Sequence, residues 1–131
     1  MYRKDLITSE IEKLAQVLAR IIGLKTELRI KEAEILFDET LSTSFGLEKS
    51  MLLDPNDEDF IQWLSTTPLG AEKLNALGDF LFSELDFEQQ TIPSLLLAKK
   101  LDLVYQRLAD HFQVVHLINM GRQKYIQQYL S

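Results

Sequence analysis

The chain has 131 residues, a length that suits one domain whose core removes roughly two thirds of the unfolded surface from water. Its 5 glycines and 3 prolines are few for a fold of strands and turns, and the absence of cysteine excludes disulfides and thiolate metal sites. A formal net charge of -6 disfavours nucleic acid as a partner, no apolar run approaches the ~20 residues that span a bilayer, and the expected setting is the cytoplasm without membrane contact.

The charge is unevenly spread. Residues 1–31 hold 7 basic and 4 acidic side chains, residues 32–91 hold 2 and 14, and residues 92–131 hold 5 and 2. An acidic middle between basic ends is what neighbouring helices of opposite charge produce, and it also offers an acidic face to a basic protein partner.

The first stretch, YRKDLITSEIEKLAQVLARIIGLK, carries Ile7, Ile11, Leu14, Leu18 and Ile21 at spacings of 4, 3, 4 and 3, one stripe of a helix that the pattern ends near Gly23. Glu10, Glu12, Lys13, Gln16 and Arg20 interrupt what would be the apolar core of a signal peptide, so the stretch reads as structure rather than as an address. Ile30, Ala33, Phe37, Leu41 and Phe45 then repeat the helical period, with Gly46 placed as the stop, and the two helices predict an antiparallel hairpin over residues 3–46. Residues 47–69 form an irregular connection in which DPND precedes a short helix burying Phe60, Trp63 and Leu64. Beyond it, Leu74, Leu77, Leu81 and Leu85 mark a fourth helix. Leu97, Leu101, Val104 and Leu108 mark a fifth, and HLINMGRQKYIQQYL a sixth that presents Ile118, Tyr125 and Tyr129. No alternation of period 2 is long enough for a strand, so the expected fold is all-α, a single domain of about six helices in antiparallel hairpins.

Chemistry-bearing motifs are sparse. Asp54, Asn56 and Glu58 alternate as in a calcium loop, but Asp59 occupies the turn that needs Gly and Ser65 the place of the bidentate Glu, so a helix-capping role is expected. His111 and His116 would point ~140° apart on one helix and share no metal. The five glycines are scattered and form no phosphate cradle, and no serine elbow or Ser-x-x-Lys pair is present. Expected catalytic, cofactor and metal residues are therefore none. The candidate partner-binding residues are Asp57, Glu58 and Asp59 of the acidic stretch, together with Tyr125 and Tyr129, whose adjacent faces one core would not cover entirely.

Leu74-x2-Leu77-Gly78-x2-Leu81 has the spacing of the first helix of a tetratricopeptide hairpin, and Ala33-x3-Phe37 and Leu97-x3-Leu101 that of the second. The whole chain, above all its opening MYRKDLITSEIEKLAQVLARIIGL, resembles a group of short bacterial all-helical proteins of unknown function with one degenerate tetratricopeptide-like hairpin, matched here by LNALGDFLFSEL and LLAKKLDLVYQRLA. The resemblance implies a tetratricopeptide-like bundle over residues 70–131 and a bacterial cytoplasmic setting. It implies no activity. Together these readings lead to a non-enzymatic interaction or scaffold module without cofactors, monomeric or homodimeric. The alternatives are a homodimer seamed by its first or last helix, and a small-ligand binder or enzyme with a pocket between helices.

Overall fold

A computed structural model describes residues 2–86, 88–89, 91–113 and 116–130, leaving aside the side chains of residues 2–5 and 129. Among these residues the chain is all-helical, with seven α-helices: α1 (Tyr2–Thr26), α2 (Ile30–Thr40), α3 (Lys49–Leu52), α4 (Glu58–Thr66), α5 (Ala71–Ser83), α6 (Ile92–Asp110) and α7 (Leu117–Leu130). The expected count of about six is exceeded because Lys49–Leu52 winds into a single turn inside the irregular connection. Contacts divide the chain into two compact units, Met1–Glu48 and Lys49–Ser131.

The first unit is the α1–α2 hairpin. Leu14, Ile21 and Leu24 of α1 and Ala33 and Phe37 of α2 are buried, as their shared stripes require. Helix α1 does not stop at Gly23. The Glu27 N–H still donates to the Gly23 carbonyl, and the chain reverses only at Leu28, which takes φ 62° while its side chain is 84% exposed. The reason lies one residue beyond the glycine: Leu24 is buried, and a turn at Gly23 would take it out of the helix. Helix α2 passes into a π-helical stretch, Leu41–Phe45, where the sequence pattern continues the ordinary helical period. The wider turn keeps both Leu41 and Phe45 buried, and Gly46 closes it with φ 68° as the N–H groups of Gly46 and Leu47 both donate to the Leu41 carbonyl.

The second unit is arranged around α6, which packs against α3, α4, α5 and α7. Burial of Ser94, Leu97, Ala98, Lys100, Leu101, Val104, Tyr105 and Leu108 makes a broad stripe of about 160° along the helix, leaving Ile92, Lys99, Gln106 and Asp110 to solvent. Thr91 Oγ1 caps the helix by accepting from the Ser94 N–H, and the Ser94 hydroxyl accepts from the Asp86 N–H, which fixes how the chain enters α6. Helix α5 lies antiparallel to α6: a Cβ placed on Gly78 would stand 3.0 Å from a ring carbon of Tyr105, so the tyrosine ring packs directly on the α5 backbone at that position.

Two backbone sites with positive φ respond in opposite directions to substitution. Leu28→Gly is expected to raise stability by about 0.5–1 kcal/mol, because it relieves a left-handed leucine that buries nothing. Gly46→Ala is expected to lower stability by about 1 kcal/mol at the π-helical stop. Urea unfolding of the two variants beside the parent chain measures both.

Candidate functional site

Lysine 100 falls inside the apolar stripe of α6, three residues after Leu97 and four before Val104, and its side chain is fully buried. A cation removed from water must be met by charge and by hydrogen-bond acceptors. The Lys100 ammonium donates to Asp57 Oδ1 at 2.6 Å and to the Asp54 carbonyl at 2.7 Å, in the turn that leads into α4. That turn is stiffened locally, since Asp54 Oδ1 accepts from the Asn56 N–H and Asn56 Oδ1 from the Glu58 N–H. The stretch whose spacing suggested a calcium loop therefore encloses a cation supplied by the chain itself. Asp57 spends its carboxylate on Lys100, whereas Glu58 and Asp59, in the first turn of α4, are exposed.

Helix α7 is built the other way round from an ordinary surface helix. Its inward residues are mainly polar: Asn119 Nδ2 donates to Asn75 Oδ1 at 2.6 Å, Arg122 to Asp79 Oδ1 at 2.5 Å, and Gln123 Nε2 to Asp102 Oδ1 at 3.1 Å. The Arg122 guanidinium also lies 4.5 Å over the Phe82 ring. Among the described side chains of α7, Ile126 is the one fully buried apolar anchor. Leu117, 85% exposed, and Ile118, Met120 and Tyr125, each at least half exposed, point outward.

Beside Arg122, burial raises the Tyr105 hydroxyl above its ordinary pKa, and the nearby guanidinium only partly offsets this. Burial works against the Arg122 charge, but Tyr105 and Asp79 outweigh it, and its pKa is raised. Tyr105 thus holds its proton more firmly folded than unfolded. Its contribution to stability is complete below about pH 10, the unfolded value, and is lost as pH rises through the higher folded value.

The five sequence-selected residues are dispersed over these two features. Asp57 belongs to the Lys100 pair, Glu58 and Asp59 stand exposed beside it, Tyr125 is half exposed on the outer face of α7, and the Tyr129 side chain lies outside the described residues. His111 at the end of α6 and His116 before α7 are exposed and separated by the connecting loop. Among the described residues no three His, Cys, Asp or Glu side chains gather as a metal site, and no helix is long and apolar enough to cross a membrane. An open depression of about 650 Å³ runs along Met120, Gly121, Gln123, Lys124 and Gln127 of α7.

Sequence reasoning missed Lys100, Asn119, Arg122 and Gln123. For Lys100 the signal was its place on the stripe between Leu97 and Val104. For α7 it was that Asn119, Arg122 and Ile126 share a face at spacings of 3 and 4, while the apolar residues Leu117, Ile118 and Met120 fall on the opposite half of the helix. Comparison of the chain with protein-family models, curated proteins and solved structures finds no match.

Asp57→Ala is expected to cost about 2–4 kcal/mol, since it leaves a buried ammonium with only the Asp54 carbonyl. Adding Lys100→Met to that variant is expected to recover part of the loss. A double-mutant cycle by chemical unfolding reads the coupling, and additive losses would contradict it.

Proposed function

We propose that the chain is a non-enzymatic protein–protein interaction or scaffold module, and that the outer face of α7 receives the partner. The observation that carries this reading is the inversion of α7: hydrogen bonds hold its polar side against α5 and α6, and Leu117, Ile118, Met120 and Tyr125 face solvent. A helix selected only to close a core would direct those side chains inward. Helix α7 contains no acidic residue, and Lys124 shares its outer face, so an apolar groove with an acidic rim is the complementary surface. The exposed Glu58 and Asp59 of α4 offer a second, weaker contact for basic groups.

The reading includes a tetratricopeptide-like arrangement of α5 and α6, supported by the spacing of Leu74, Leu77, Gly78 and Leu81 and by the close approach of Gly78 to Tyr105. It also includes the bacterial cytoplasmic setting that the resemblance of the chain implies.

Changing Leu117, Ile118 and Tyr125 together to Ser is expected to leave the thermal midpoint within about 3 °C, because each of these residues is at least half exposed. The same variant is expected to lose a partner that the parent chain captures by cross-linking in its native cell. An unchanged set of captured proteins contradicts the α7 face as the docking surface.

A further inference from the structure

We infer that the face of α5 and α6 beneath α7 is a binding site for a cationic amphipathic helix of another protein, and that α7 occupies it as a resident substitute which such a helix displaces.

The residues that meet α7 form one acceptor surface. Helix α5 presents Asn75, Asp79 and Phe82 at spacings of 4 and 3, and α6 presents Asp102 and, beside Arg122, Tyr105. Hydrogen bonding runs one way across the seam: Asn119, Arg122 and Gln123 donate, and Asn75, Asp79 and Asp102 accept. The surface is therefore matched by a helix that brings donors at i, i+3 and i+4 and an apolar residue at i+7, as Asn119, Arg122, Gln123 and Ile126 do.

Helix α7 fits this surface incompletely. Asp79 is paired with Arg122, whereas Asp102 accepts from two neutral amides, Gln123 at 3.1 Å and Gln106 at 2.8 Å, and pairs with no cation among the described residues. The Tyr105 hydroxyl, buried in the same seam, makes no hydrogen bond among the described residues. Docking of α7 also keeps Gln113, in the connection from α6, at φ 55°, a left-handed conformation that a residue with a side chain adopts at a cost. A separate helix with lysine or arginine in the place of Gln123 gives Asp102 a charge-assisted partner and carries no such connection. Its competitor is held by three polar bridges and one fully buried apolar side chain, Ile126, so α7 departs far more easily than α6 unfolds. The site lies under α7 and is separate from the outer face of that helix.

The test uses the full chain and labelled synthetic peptides of residues 117–130, read by fluorescence anisotropy. A peptide carrying Gln123→Lys is expected to bind about fivefold more tightly than the peptide of unchanged sequence, because an amide on Asp102 becomes an ammonium. A peptide of the same net charge carrying Gln128→Lys, on the exposed side, is expected to bind like the unchanged one. In the protein, Asp102→Asn is expected to abolish the advantage of the Gln123→Lys peptide. Arg122→Met in the protein, which loosens the resident helix, is expected to tighten binding of that peptide about fivefold, since apparent affinity rises with the open fraction. At saturation the amides of α7 are expected to exchange faster. The triple Ser variant of α7 is expected to bind the peptide like the parent chain, which separates this result from the fate of the outer face. No binding of the Gln123→Lys peptide up to roughly 1 mM would overturn the inference. Equal binding of all three peptides, or binding that leaves α7 exchange unchanged, would overturn it as well.

Discussion

The second unit depends on keeping one ammonium group charged without water. The broad buried stripe of helix α6 includes Lys100. Because a buried cation without partners costs far more than a buried methylene gains, the turn at residues 54–57 has one acceptable position: against α6, with the Asp57 carboxylate and the Asp54 carbonyl on the ammonium. Once that turn is placed, α4 starts where it must for Phe60 and Leu64 to enter the core, where both are buried. An irregular, acidic, proline-containing segment is thereby given a register that its own weak periodicity could not supply.

On the α7 side, direction replaces area. Apolar contact is tolerant of rotation and sliding, whereas the bridges Asn119–Asn75, Arg122–Asp79 and Gln123–Asp102 fit one rotation and one axial position of the helix. Each contributes little net free energy, about 1 kcal/mol, because water offers comparable bonds in the unfolded chain. Such a seam orients α7 without gluing it tightly, and it leaves the apolar residues of the helix for another surface. Gly78 and Tyr105 belong to the same arrangement: the missing side chain lets the tyrosine ring approach α5, with its hydroxyl beside Arg122.

The helices were largely legible in the sequence, for a physical reason. Where one apolar face was buried, as with Ala33, Phe37 and Leu41 or Leu97, Leu101 and Val104, burial leaves a 3.6-residue imprint. Reading failed where a tertiary demand overrode a local one. Gly23 lies inside α1 because Leu24 is needed in the core, and Leu28 takes the left-handed turn that a glycine would adopt more cheaply. The π-helical turn before Gly46 leaves no imprint beyond Leu41 and Phe45, which an α-helix explains as well. At the site, Asp57 was visible as a charge but not as the partner of Lys100, since the two are 43 residues apart. The apolar residues of α7 were visible, but which side of the helix they took depended on Asn75, Asp79 and Asp102 in two other helices.

The central claim is that α7 is held by a polar seam and keeps its apolar face outward, while α6 carries the core. Native-state hydrogen exchange measures this most directly, because it reads the free energy of opening helix by helix. Amides of α6 around Leu101 to Leu108 are expected to exchange only by global unfolding. Amides of α7 around Gln123 to Gln127 are expected to exchange through a local opening at least about 2 kcal/mol easier, and Arg122→Met to widen the gap. Protection of α7 equal to that of α6, unchanged by Arg122→Met, would contradict the account.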